Sequence, residues 1–316
     1  MLRALIVFID GVGVGAEDQQ SNPFCSARID TLAELLAGKD ALFDATTRVT
    51  PRAVFTPVDA SLGVLGLPQS GTGQTALFAG FNAAREFGRH FGPWVPTALR
   101  ARLANENLLT KAKNAGLRVA FANAYPEELF SQQSPQSPPS PKSPPSPLRA
   151  GPPIVALGAG VLTRHTNELM RGDAVASEIT NEGWRKHLKR TELPVITAAE
   201  AGRNLARIAA QHDLTLFAHY STDYVGHRGH MWEAVEALQK VDDFVAGVLA
   251  AIPEDTLVAV VSDHGNIEDI RVGHTHNPAL GIFLGPQRER FAQQELSLAD
   301  IAPAILELLG VVDRVA

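Results

Sequence analysis

Three unbroken apolar runs constrain the fold of this chain more than any other feature of its sequence. They are RALIVFID (3–10), LTLFAHY (214–220) and TLVAVVSD (256–263). An apolar run without polar alternation is typical of a strand buried on both faces, as in a parallel sheet covered by helices. Segments with helical spacing lie between these runs at 198–212 and 231–252. We therefore predict an α/β fold with a doubly wound, mostly parallel sheet.

The same alternation of helix and strand extends toward both ends of the chain. A helix is predicted over 97–116, a strand over 117–125 and a closing helix over 298–310. The length of 316 residues is enough for one large α/β domain with an insertion. We predict that residues 1–125 and 195–316 form the core and that residues 126–194 form a small inserted lid.

A Ser-Pro tract, SPQSPPSPKSPPSP at 134–147, lies inside the predicted lid. Proline at this density excludes a helix or a central strand, and the tract has almost nothing to bury. A polyproline II helix would place its serines along one edge, which suits docking to a proline-recognising domain. A disordered or semi-rigid spacer is the interpretation that the composition favours.

Composition excludes several classes of protein. A formal net charge of -6 argues against general nucleic-acid binding, and the single cysteine, Cys25, rules out an internal disulfide framework. The apolar run 2–9 is shorter than a membrane span and lacks the cleavage pattern of a signal peptide. We expect a soluble, cytoplasmic enzyme without nucleic-acid or membrane partners, and composition does not indicate an oligomeric state.

Residue types that bind metals follow three of the predicted strands and recur in GHTHNP. They are Asp10, Asp223, His227, Asp263, His264, His274 and His276. Taken singly, an aspartate after a strand is more often a turn residue, and a lone histidine is more often structural. Gathered at one sheet edge, however, these groups need a compensating cation. Mixed oxygen and nitrogen ligands suit two divalent ions, Zn²⁺ or Mn²⁺, rather than Ca²⁺.

Five segments carry a resemblance to a known family. In order they are FIDGVG, SGTGQTALFAG, DYVGH, SDHGN and HTHNP. In these segments the chain resembles the alkaline phosphatase superfamily of two-metal phospho- and sulfo-transfer enzymes. Within it, the likeness is greatest to the branch of cofactor-independent phosphoglycerate mutases and phosphopentomutases. The resemblance covers both ends of the chain but not residues 126–194.

The resemblance implies a nucleophile and two sets of metal ligands. The family's nucleophile heads a helix ten residues before a glycine, which implies Ser70, with Thr72 as the runner-up; the local sequence alone fits a helix cap equally well. Asp10, Asp263 and His264 are implied for one metal and Asp223, His227 and His274 for the other. The resemblance selects His274 over His276, although either histidine could reach the metal, and His276 is then a supporting or structural group. Asn266 and Glu268 are each a supporting or a solvated turn residue.

Basic residues outside these motifs are candidates for substrate binding. Arg89 and His90 follow the predicted nucleophile helix, and Arg164 and Arg171 lie in the predicted lid. The basic run at 184–190 is more typical of a solvated face.

The resemblance implies that the chain transfers a phosphoryl group from a small phosphorylated substrate, and that a phosphoserine of the enzyme is the intermediate. A mutase must keep water from its intermediate, and the predicted lid is small, which favours a phosphatase or phosphodiesterase. A phosphomutase is the alternative, and a non-catalytic metal-binding or regulatory protein is the second alternative. Sulfatase activity is disfavoured because SGTGQ lacks that branch's Pro and Arg.

Overall fold

The computed structural model describes residues 2–131, 147–293 and 295–311. These residues form a seven-stranded mixed sheet in the order β2-β3-β7-β6-β1-β5-β4. The strands are β1 (Arg3–Ile9), β2 (Arg48–Val49), β3 (Ala53–Phe55), β4 (Val119–Phe121), β5 (Leu214–His219), β6 (Thr256–Val261) and β7 (Gly281–Leu284).

The predicted doubly wound, mostly parallel sheet is confirmed for the centre of this sheet. Strand β1 pairs in parallel with both β5 and β6, and β4 pairs in parallel with β5. The other edge departs from the prediction, because β7 is antiparallel to β6 and to β3, and β2 is antiparallel to β3. The carboxyl ends of β1, β5 and β6 therefore lie side by side at one edge of the sheet.

Helices cover both faces of the sheet. They are α1 (Asp30–Leu35), α2 (Ser70–Ala79), α3 (Ala83–Phe87), α4 (Thr97–Glu106), α5 (Leu108–Asn114), α6 (Glu128–Ser131), α7 (Gly151–Gly158), α8 (Thr166–Arg171), α9 (Glu182–His187), α10 (Ala198–Ala210), α11 (Ser221–Gly226), α12 (Met231–Leu249) and α13 (Leu298–Leu308). Short 3₁₀ turns occur at Pro23–Cys25, Lys39–Phe43, Pro147–Arg149 and Arg288–Phe291.

Alternate residues of β1 separate two hydrophobic cores. Ile6 and Phe8 belong to the core that contains α2, α4, α5, α7 and α13, whereas Leu5 and Val7 belong to the core that contains α1, α10 and α12. Because both faces of β1 are buried, the strand tolerates no polar residue until its end, at Asp10. This placement explains the unbroken apolar run.

The helix predicted over 97–116 is two helices with a break at Asn107. The side chain of Asn107 accepts a hydrogen bond from Thr110 N at 2.9 Å and donates to the carbonyl oxygens of Leu103 and Ala104. It thereby bonds backbone groups at both the end of α4 and the start of α5. The strand predicted over 117–125 is also shorter than expected, because only Val119–Phe121 pairs with β5.

The segment 126–194 contains two kinds of packing. Helix α7 lies in the first hydrophobic core, with Ile154 and Val155 buried there. A third, small cluster is formed by Ala124, Leu169, Ala174, Ala176, Trp184 and Leu193. The division into core and lid stays a prediction, and most of the Ser-Pro tract lies outside the described residues. Within the described part of the chain, no helix is long and apolar enough to cross a membrane.

Candidate metal centre

The sheet brings together side chains that are far apart in the sequence. Asp10 directly follows β1, Asp223 lies in the first turn of α11 after β5, and Asp263 lies two residues after β6. Since β1 lies between β5 and β6 and runs parallel to both, these three carboxylates are brought to the same edge. Ligands of open α/β sheets bind at this edge.

Four of the predicted residues form what we call the buried group: Ser70, Asp10, Asp263 and His264. Ser70 Oγ lies 3.0 Å from Nε2 of His264. The same nitrogen lies 3.4 Å from Asp10 Oδ1 and 3.7 Å from Asp263 Oδ2. All four residues are buried. The structure therefore brings the predicted nucleophile within hydrogen-bonding distance of a predicted metal ligand.

Three further residues form what we call the open group: Asp223, His227 and His274. The Nε2 atoms of the two histidines are 3.1 Å apart. Asp223 Oδ2 lies 3.5 Å from His227 Nε2, and Asp223 Oδ1 lies 3.7 Å from His274 Nε2. Ligand atoms bound to one ion at about 2.1 Å each stand about 3–3.5 Å apart, so these separations suit a shared cation.

The two groups meet at Asp223 and at a pair of stacked imidazoles. Asp223 Oδ1 lies 3.9 Å from His264 Nε2, and the rings of His264 and His274 stack with centroids 4.0 Å apart. The ligand atoms of Asp10, Asp223 and His264 lie within 4.8 Å of one another, as do those of Asp223, His227 and His274. Asp223 thus belongs to both sets, a sharing that the sequence did not predict.

Two oxygen atoms in the buried group test whether a cation fits. Asp10 Oδ1 and Asp263 Oδ2 are buried and have no hydrogen-bond partner among the described residues. A buried carboxylate oxygen without a donor costs free energy, and a divalent ion supplies the missing charge. The donor set, three carboxylates and three imidazoles, is one that Zn²⁺ and Mn²⁺ accept. The residues present fit such ions.

The protonation of these side chains reflects their crowding. Burial, reinforced by the neighbouring carboxylates, raises the pKa of Asp10 well above its ordinary value, and burial also raises the pKa of Asp263. Burial alone would lower the pKa of His264, but Asp263, Asp10 and Asp223 outweigh it and raise that pKa to about 10. Burial and the charge of His264 lower the pKa of His274 to about 4. Groups that oppose one another in this way are typical of a functional site.

Hydrogen bonds orient several of the ligands. Nδ1 of His274 donates to the Pro68 carbonyl at 2.8 Å, which leaves Nε2 free to face the open group. Asn266 Nδ2 donates to Asp223 Oδ1 at 2.6 Å and so helps to orient that carboxylate. Gln74 Nε2 donates to Asp10 Oδ2 at 3.1 Å, a contact that the sequence did not predict.

Helix α2 presents Ser70 as its first residue. The cap of this helix is Gln69, so Ser70 is not the capping residue, and its hydroxyl turns to His264 instead of a backbone N–H. Ten residues on, Gly80 ends the helix with a φ of 74°, a conformation that favours glycine. The spacing from Ser70 to Gly80 is thus the length of one complete helix. The hydroxyl of Thr72, the runner-up, lies near the carbonyl oxygens of Gln69 and Phe91 and accepts from Phe91 N.

The four basic candidates have partners outside the two groups. Arg164 donates to the carbonyl oxygens of Asp173 and Phe121, and exposed Arg171 pairs with Glu168 and Asp173. His90 Nε2 lies 3.1–3.2 Å from the carbonyl oxygens of Ser61 and Val64, and the Arg89 guanidinium lies over the rings of Phe87 and Phe91. His276 is exposed.

These placements revise the substrate-binding hypotheses. Arg164 is engaged by Asp173 and by the end of β4, and Arg171 by its neighbours in the chain, so we remove both from the candidate site. In the basic run at 184–190, Arg185 bonds the Thr191 and Leu193 carbonyls and Arg190 pairs with Glu128. Arg89 remains a candidate, because it is exposed and lies two residues before the Phe91 carbonyl that contacts α2.

Sequence comparison finds relatives for the C-terminal part of the chain. Residues 189–313 match the family model described as the Metalloenzyme superfamily. A 2,3-bisphosphoglycerate-independent phosphoglycerate mutase of Methanosarcina barkeri is 35% identical over 112 residues, which cover 33% of this chain and 21% of the relative. The chain therefore matches only about a fifth of that relative's length.

Structural comparison extends the likeness to the whole chain. A protein of Pyrococcus horikoshii matches with a TM-score of 0.56 at 12% identity, and the match covers 100% of this chain and 98% of the other. An alkaline phosphatase from the Antarctic bacterium TAB5 matches with a TM-score of 0.52 at 12% identity, covering 98% and 99%. At this identity the likeness shows the fold. The fold of the chain is therefore alkaline-phosphatase-like, and its residues 189–313 match the Metalloenzyme superfamily.

Proposed function

We propose that this chain is a two-metal phosphoryl-transfer enzyme, a phosphatase or phosphodiesterase that acts through a phosphoserine at Ser70. The observation that carries the proposal is the buried group itself. A serine hydroxyl at the start of a helix lies 3.0 Å from His264 Nε2, beside two buried carboxylate oxygens without donors. A structural serine would need none of these neighbours.

The metal ligands follow the two groups. Asp10, Asp263 and His264 would hold one ion beside Ser70, and Asp223, His227 and His274 would hold the other. When bound, a pair of Mn²⁺ or Zn²⁺ ions supplies positive charge that favours the ionised serine and stabilises the phosphoryl oxygens and the leaving group.

The chain's own groups position the reaction at Ser70. The Ser70 hydroxyl gives its proton to solvent and its Oγ forms a bond to phosphorus, while the bond from phosphorus to the leaving oxygen breaks and that oxygen takes a proton from solvent. Water then attacks the phosphorus, the bond from phosphorus to Oγ breaks, and inorganic phosphate leaves as Ser70 Oγ regains a proton. Thr72 N and Gly73 N are bonded to the carbonyls of Phe91 and Gln69. Ser70 is the first residue of α2, and the start of a helix favours an anionic phosphate.

The exposure of the open group supports hydrolysis of the phosphoserine. The side chain of His227 is 49% exposed and that of Asp223 is 20% exposed, so water reaches this side of the centre. A mutase must exclude water while the substrate reorients. A phosphomutase remains the second candidate, because the matching relative is a phosphoglycerate mutase.

The test uses purified protein loaded with Mn²⁺ or Zn²⁺ and p-nitrophenyl phosphate as the substrate. We expect release of inorganic phosphate, loss of at least about 10³-fold in turnover in Ser70→Ala, and a trapped phosphoryl group on Ser70 in the intact mass of the quenched enzyme. Ser26→Ala is the matched control, since Ser26 is an exposed serine. Unchanged turnover in Ser70→Ala would refute the nucleophile.

The same samples separate the alternatives. Isomerisation of sugar phosphates or phosphoglycerates without phosphate release would favour the phosphomutase. Binding of two ions without turnover of any phosphate monoester or diester would favour the non-catalytic alternative.

A further inference from the structure

Glu268 occupies the centre of the loops that carry the metal ligands. Its side chain is buried, with 1% of the residue exposed. Oε2 accepts hydrogen bonds from Gly13 N at 2.9 Å and from Asn266 N at 2.8 Å. The first donor belongs to the loop after β1 that begins with Asp10, and the second belongs to the loop after β6.

The other oxygen of Glu268 holds a third loop. Oε1 accepts from the hydroxyl of Thr275 and from Asn277 Nδ2, the latter at 3.1 Å. These two residues flank His276, and Thr275 directly follows His274, a residue of the open group. A single carboxylate therefore connects the loops of Asp10, His264 and His274.

The glycines of these loops leave space for the carboxylate. A Cβ atom at Gly13 would lie 2.4 Å from Glu268 Oε1, and one at Gly265 would lie 2.3 Å from it. A Cβ at Gly15 would lie 2.7 Å from Glu268 Cγ. Gly13 and Gly15 of DGVGVG are thus required by close contact with Glu268, whereas Gly11 is crowded by Asp223.

The four donors to Glu268 are all neutral. Among the described residues, no lysine, arginine or histidine forms an ion pair with its carboxylate. A buried carboxylate in this setting is held in one position by hydrogen bonds. Asn266, whose N–H it fixes, also donates to Asp223, the carboxylate shared by both groups.

We propose that Glu268 is a positioning residue that couples the two groups, so that its loss weakens the binding of both metal ions together. This inference rests on the proposed two-metal function. Residues that orient ligands without touching the metal typically change metal affinity by about 10–100-fold when mutated.

The alternative is that Glu268 only stabilises the fold, and a second buried carboxylate provides the matched control. Asp242 on α12 is 3% exposed and accepts from Thr31 N at 3.0 Å and Leu32 N at 2.8 Å. It joins α12 to α1 by two backbone donors and touches neither group. Asp242→Asn therefore reports the effect of disturbing a buried carboxylate that does not hold ligand loops.

The experiment is a titration of metal-free full-length protein with Co²⁺, followed by calorimetry and by visible absorption. We expect two binding steps in the wild type. In Glu268→Ala both steps should weaken by about 10–100-fold with an altered Co²⁺ spectrum. Glu268→Gln should restore part of the affinity, because its amide oxygen can still accept from Gly13 N and Asn266 N. Asp242→Asn should leave both steps and the spectrum unchanged.

Two results would overturn the inference. The first is that the two binding steps of the wild type persist unchanged in Glu268→Ala, or that only one of them weakens. The second is an equal loss of affinity in Asp242→Asn. If Glu268→Ala does not fold, unchanged binding in Glu268→Gln overturns it. A wild type that never binds a pair of ions overturns the proposed function, and this inference with it.

Discussion

His219 makes the stability of this fold depend on pH in a way that one substitution can isolate. The residue ends β5, is 1% exposed, and donates from Nδ1 to the Ser177 carbonyl at 2.7 Å. Nε2 is buried without a partner within the described residues. Burial lowers the pKa of His219 to about 4, and the charge of Lys240 acts in the same direction.

The sign and size of the effect follow from this lowered pKa. Unfolding restores an ordinary histidine pKa of about 6.5, so the unfolded chain binds the proton more readily. The contribution of His219 to stability is fully present above about pH 6.5 and is lost as the pH falls toward 4. Between the two pKa values the loss is about 1.4 kcal/mol per pH unit, which gives about 2 kcal/mol at about pH 5.

The assay is urea unfolding of the wild type and of His219→Gln at about pH 7.5 and about pH 5. The glutamine amide can keep a donor toward Ser177 but does not titrate. Other titrating groups are common to both proteins, so the wild type should lose about 2 kcal/mol more free energy of unfolding than the variant on acidification. Equal losses in the two proteins, or an NMR titration of His219 with a pKa near 6.5, would refute the reasoning.

Three further substitutions test the site and its surroundings. In Gly73→Ala the new Cβ would lie 2.9 Å from the carbonyl oxygen of Asp263, so α2 must shift. We expect phosphatase turnover to fall at least about tenfold, and unchanged turnover would contradict this. Gln74→Leu removes the oxygen that accepts from the buried Gly151 N–H at 2.9 Å. The free energy of unfolding in urea should fall by about 1–3 kcal/mol, and no change would show that another acceptor replaces this hydrogen bond. Arg171→Ala should leave turnover unchanged, and a rise in KM would return Arg171 to the substrate site.

The centre of the fold was predictable because its strands are buried on both faces. The apolar runs that end at Asp10 and Asp263 could be identified as buried strands without knowledge of tertiary contacts, and neighbouring parallel strands bring their carboxyl ends together. The edge strands were not predictable in the same way. Arg48–Val49 and Ala53–Phe55 are two and three residues long, too short for any alternation to show. They pair with each other locally, but only a contact distant in the sequence, from β3 to β7, joins them to the sheet.

The candidate site was predictable in its residues but not in its arrangement. The resemblance assigned Asp223 to one metal, whereas its carboxylate lies beside both groups, a matter of side-chain direction that spacing does not encode. The sequence left Glu268 open between a supporting and a solvated turn residue, whereas the fold buries it against Gly13 and Gly265. Arg164 turns back to carbonyl oxygens of neighbouring segments, which a charge pattern cannot reveal.

Counting the metal ions bound per chain is the most direct test of the account. Elemental analysis of wild-type protein, dialysed after loading with Mn²⁺ or Zn²⁺, should give about two ions per chain. Asp223→Ala should give about one ion or fewer, because Asp223 belongs to both groups, while Asp243→Ala on the exposed face of α12 should keep two. A wild type without bound ions, or an Asp223→Ala variant that retains two, would contradict the shared centre.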